Sequence, residues 1–162
     1  MASFDAGPLR FLPYAIRTPQ RAWLAIPAAV ALTLLGSLLL SSLLAALMPS
    51  VAGPDFPIRG WAAFAGLVLF APITETLVMA GVLSMLARFL APTSAVIASA
   101  VLWGIAHSLQ APLWGLVIWW PFLIFSTLYM VWRERSVLAA LAVAATTHAL
   151  QNLIPALQVA FG

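Results

Sequence analysis

From Ala22 to Met48 no side chain carries a charge, and the apolar run is broken only by Thr33, Gly36 and a few serines. A helix of that length outruns the ~30 Å hydrocarbon core of a bilayer at ~1.5 Å per residue. In a chain of 162 residues such a segment cannot be hidden inside a soluble core, so it constrains everything else. The rest agrees: 64% of residues are hydrophobic and 7% are charged, against about 25% charged in a soluble domain. A water-soluble globule, a disordered chain and a nucleic-acid binder are thereby excluded, and an integral membrane protein is expected.

Proline, glycine and arginine punctuate the remaining apolar runs. Three arginines, Arg10, Arg17 and Arg21, precede the first run as in a signal peptide, but the run is well beyond the ~7–15 residues of a signal-peptide core. It therefore reads as a retained first helix. Residues 1–21, with Pro8, Pro13 and Pro19 among Phe11 and Tyr14, read as an interfacial segment ahead of a bundle over 22–162. The cluster Pro49, Gly53, Pro54, Asp55 and Pro57 marks a loop. A second span follows from Trp61 to Leu90, too long to lie straight across the membrane and expected to tilt, to start in the headgroups or to bend near Pro72. Further spans cover Thr93 to Gln110, Leu113 to Trp132, and Ser136 to about Ile154. The expected fold is all-α, a polytopic transmembrane bundle of about five helices. Placing the N-terminus inside puts Arg10, Arg17, Arg21, Arg88, Arg133 and Arg135 on the inner side and Arg59 alone outside, the bias that orients membrane proteins. With no cysteine, disulfides, thiolate metal sites and a cysteine nucleophile are excluded.

Ionisable groups within spans are costly and tend to mark function. Glu75 lies well inside the second span, His107 near the outer end of the third, and His148 and Asn152 in the outer part of the fifth. His148 and Asn152, four residues apart, share one helix face, and Trp103 stands in the same relation to His107. The alternating helix directions allow one shared cavity opening outward. A carboxylate and an imidazole sharing a water make a general-base pair, and a second imidazole with an amide supplies neutral donors to a developing oxyanion. Glu75 and His107 as water activators, with His148 and Asn152 as oxyanion donors, form a complete hydrolytic set. The plainer readings are helix-bridging histidines, a protonated structural Glu75, and back-bonding Thr74, Thr76, Thr146 and Thr147. The tryptophans and phenylalanines, Trp114, Trp119 and Trp120 among them, read mostly as bilayer-facing or belt residues.

The runs Ala71-Pro72-Ile73-Thr74-Glu75-Thr76-Leu77-Val78-Met79-Ala80-Gly81, Trp103-Gly104-Ile105-Ala106-His107 and His148-Ala149-Leu150-Gln151-Asn152 resemble the three ordered motifs of the CPBP intramembrane proteases. That family includes CaaX-processing and bacteriocin-processing or self-immunity enzymes, and its motifs are EExxxR, FxxxH and HxxxN/D. The resemblance places a protease core over about residues 61–154. It implies Glu75 and His107 as water activators, His148 and Asn152 as oxyanion residues, and a multi-pass protein of a bacterial cytoplasmic membrane. The chain departs from the motifs at Thr76 (for the second Glu), Ala80 (for Arg) and Trp103 (for Phe). Losing the Glu and the Arg together leaves no orphan charge. The family has been described both as metalloproteases and as glutamate-type hydrolases. Glu75, His107 and His148 offer a three-ligand zinc set, but HExxH is absent and carboxylates beside the histidines are missing, so catalysis without a cofactor is expected. The implied partners are the lipid bilayer and a membrane-associated peptide or protein, such as a leader peptide, bacteriocin or C-terminal sorting signal for an outward-facing site. The competing readings are a haem-binding bundle with axial His107 and His148, a proton relay, and an inactive relative serving as scaffold or immunity partner.

Overall fold

Apolar runs without internal charge leave the backbone no water to bond to, so each closes its own hydrogen bonds as a helix. The computed structural model describes Phe4 and residues 7–162. Five long helices follow the expected order: α1 (Ala22–Leu47), α2 (Gly60–Leu86), α3 (Pro92–Ser108), α4 (Gly115–Trp132) and α5 (Val137–Phe161). No strand occurs among the described residues. Four of the five, all but α3, are long and apolar enough to cross a membrane. At 17 residues, α3 measures about 25 Å and is slightly shorter than the bilayer core.

The centre of the bundle is α4, in which every residue from Pro121 to Trp132 is buried. Of its apolar window 72% is buried, against 6% for α1. Helix α1 touches the rest through the small-residue stripe Ala25, Ala29 and Thr33, and turns Leu35, Leu38, Leu39 and Leu43 outward. The Trp120 indole N–H donates to the Leu32 carbonyl at 3.0 Å and ties α4 to α1. Helices α3 and α4 meet at Gly104 and Gly115, where a Cβ on Gly115 would overlap the Gly104 carbonyl. Only glycine permits that approach, the small-residue packing common between membrane helices.

Two helices differ from the sequence expectation in instructive ways. In α2 a π-helical turn over Gly66–Phe70 lies immediately before α-helix resumes at Ala71, ahead of Pro72. Helix α5 starts at an N-cap, Ser136, whose hydroxyl accepts the Ala139 N–H at 3.0 Å, and it runs through Pro155 to Phe161 rather than stopping near Ile154. The added turns are held by tertiary contacts. Ala156 and Ala160 are buried, Arg59 donates to the Val159 carbonyl at 2.8 Å, and the Phe161 ring meets Trp61 edge-on at 5.1 Å. Val159 is among the last carbonyls of the helix, which have no donor of their own.

Residues 1–3, 5 and 6 of the N-terminal segment lie outside the described residues. Beyond them Leu9, Leu12 and Ile16 are buried against the bundle, as is Phe4, and Arg17 closes the segment by donating to the Leu12 carbonyl at 2.8 Å.

Candidate active site

Glu75 projects from α2 at a point one turn beyond Pro72, and α5 runs antiparallel beside it. Its Oε2 lies 3.7 Å from Nε2 of His148. The His148 side chain is 5% exposed and that of Glu75 28%, so the carboxylate retains an open side while the imidazole is enclosed. Phe125 stacks on the His148 ring at 4.6 Å and Phe122 meets it edge-on at 5.4 Å. His148 Nδ1 is buried without a partner. A buried orphan N–H is rarer than a buried lone pair, which favours the tautomer carrying its proton on Nε2, towards Glu75.

His107 is also buried. Its Nδ1 bonds the Trp103 carbonyl at 2.9 Å. A carbonyl only accepts, so Nδ1 carries the proton and Nε2 presents a lone pair. The ring is held by Trp103 at 5.8 Å, by the edge of Trp114 at 4.7 Å and by Phe122 at 5.7 Å. Phe122 therefore touches both histidines and is itself stacked on Trp103 at 4.3 Å. Phe56, from the loop between α1 and α2, meets Trp114 edge-on at 5.7 Å, so this loop lies over the His107 end of the site.

The four residues singled out by sequence thus fall on three helices around α4. The direct imidazole neighbour of Glu75 is His148. Among the described residues no hydrogen bond or ion pair joins Glu75 to His107. Asn152 spends one amide N–H on the Leu67 carbonyl at 3.0 Å. Thr74 and Thr147 bond carbonyls four residues back, whereas Thr76 is buried with an unpartnered hydroxyl. Ala80 is buried one turn further on. The substituted pair therefore leaves no charge inside the bundle. Among the described residues no three His, Cys, Asp or Glu side chains are grouped so as to hold one metal ion. Glu75, His107 and His148 as arranged do not make a three-ligand zinc set.

Sequence reasoning missed Phe122, which meets both imidazoles from α4, and Phe125, which stacks on His148. Their signal was present: a helix apolar on all sides belongs in the interior. An apolar face meets lipid as well as it meets protein, so composition alone did not separate the two.

Fold and site together define a polytopic helical membrane protein with two buried histidines and one partly open carboxylate between its spans. The sequence model described as Type II CAAX prenyl endopeptidase Rce1-like matches residues 57–154. That is more than half of the chain, and the protein belongs to this family of intramembrane proteases. No curated protein and no solved structure matches it significantly.

Proposed function

We propose that the protein is a glutamate-type intramembrane endopeptidase that cleaves a peptide bond of a membrane-associated peptide or protein. The observation carrying this reading is the partly open Glu75 carboxylate facing an enclosed His148, in a chain of a protease family. A water held between Glu75 and the Nε2 lone pair of His107 gives a proton to the Glu75 carboxylate as its oxygen attacks the substrate carbonyl carbon. The oxyanion that forms accepts from His148 Nε2–H and from the Asn152 N–H not given to Leu67. As the C–N bond breaks, Glu75 passes that proton to the leaving nitrogen. No ion takes part. The N-terminus lies inside and the site opens towards the outer face of a bacterial cytoplasmic membrane, which suits a leader peptide, bacteriocin or sorting signal.

Reconstituted protein should cleave either a prenylated CaaX peptide or a single-helix membrane peptide carrying a leader, and Glu75→Gln should not. Cleavage of neither probe, or undiminished cleavage by Glu75→Gln, refutes the proposal.

A further inference from the structure

The π-helical turn in α2 has a chemical consequence at Leu67. Ala71 N–H bonds the Gly66 carbonyl, five residues back. In an α-helix that donor would have served Leu67. In the wider i→i+5 register the donor for Leu67 would be residue 72, but residue 72 is proline and has no N–H. Leu67 has lost its backbone donor in both registers. A carbonyl orphaned inside a bundle is costly in hydrocarbon, and this one is met from the neighbouring helix by the Asn152 amide at 3.0 Å. One turn along the same face of α5, His148 meets Glu75.

We propose that Pro72 is a positioning residue: by withholding a backbone N–H it frees the Leu67 carbonyl, and that carbonyl fixes the Asn152 amide so that one N–H remains for the substrate oxyanion. A freely rotating amide would present its carbonyl oxygen to the oxyanion as readily as a donor. The Leu67 bond forbids that flip, because an oxygen turned towards Leu67 would face another acceptor. The inference rests on the reading of Asn152 as an oxyanion donor. Its structural half stands independently of any substrate.

Pro72→Ala supplies the missing N–H: Leu67 gains a donor from residue 72 when the i→i+5 register carries on by one residue, and from Ala71 when the turn reverts to α. Alanine is the best helix former, and folding is not put at risk. The chain contains a single asparagine, so protein labelled with 15N-asparagine shows one side-chain NH2 pair. In the wild type one of its two protons should exchange slowly with deuterium. In Pro72→Ala that protection should fall and the two proton shifts should converge. Where a cleavable substrate is in hand, Pro72→Ala should lower kcat about tenfold with KM held, part of the ~10²–10³ attached to one oxyanion donor. It should cost nothing further in an Asn152→Ala background. An identical side-chain spectrum in wild type and Pro72→Ala overturns the proposal, as does an equal slowing by Pro72→Ala with and without Asn152. If the wild type cleaves nothing, the hydrolase reading falls, and the amide spectrum still decides whether Pro72 governs Asn152.

Discussion

Gly115→Ala and Gly81→Ala are the same substitution with opposite expected signs. At Gly115 the added Cβ would overlap the Gly104 carbonyl and Ser108 Oγ, with the Gly104 carbonyl carbon only 2.7 Å away. Two of these three atoms are backbone, so the conflict is relieved by separating α3 from α4 rather than by a rotamer change. Overpacking of this kind costs about 1–3 kcal/mol, and the rigid neighbours place Gly115→Ala towards the upper end. At Gly81, within α2, a Cβ meets nothing within 4 Å. There the gain is the helix preference of alanine, up to about 1 kcal/mol. The two variants should therefore differ by roughly 2–4 kcal/mol in unfolding free energy. Unfolding in mixed micelles with rising SDS, followed by tryptophan fluorescence, measures this. The activity consequence is larger. His107 sits three residues from Gly104 on α3, so parting the helices carries it away from Glu75 and His148, and a misplacement of ~1 Å can cost ~10²-fold in rate. Gly81→Ala should leave turnover near that of the wild type. Equal stabilities for the two variants would refute the close α3–α4 approach on which this reasoning depends.

Glu75→Gln should abolish cleavage while leaving the bundle as stable or more so, since an ionised carboxylate within a span costs about 2.5–3.5 kcal/mol on the insertion scale; a destabilised Glu75→Gln bundle would show that the carboxylate serves structure. His107→Ala should lose nearly all turnover and Asn152→Ala about 10²–10³-fold, with comparable losses in both counting against the division of roles. Phenanthroline should leave turnover unchanged; stoichiometric zinc in purified protein together with chelator sensitivity would replace the ion-free mechanism with a metal-dependent one. The chain has no native cysteine, so single cysteines at exposed Ser50 and Glu134 should label from outside and inside respectively, and the reverse pattern would overturn the orientation.

Helix order, loop positions and the residues of the candidate site were legible in the linear chain because each rests on a local rule. Apolar runs must close their own hydrogen bonds, the Met48–Gly60 cluster of prolines and glycines cannot continue a helix, and Glu75, His107, His148 and Asn152 stand out against hydrocarbon. What lies between helices was decided by tertiary structure. Hydropathy marks Leu113 to Trp132 and the run from Ala22 alike as apolar spans and does not say which is central, because lipid tails and a packed interior are equally apolar. Pro72 announces an irregularity, but the π-helical turn ahead of it is tied to Asn152 on α5, eighty-five residues from Leu67 in sequence. Pro155 reads locally as a stop, yet α5 continues because Arg59 and Trp61 hold its end. The same limit applies to Glu75: its spacing shows that it lies within a span, and only the packing of α2 against α5 brings it opposite His148, since a contact between helices depends on their rotation and register and not on the composition of either.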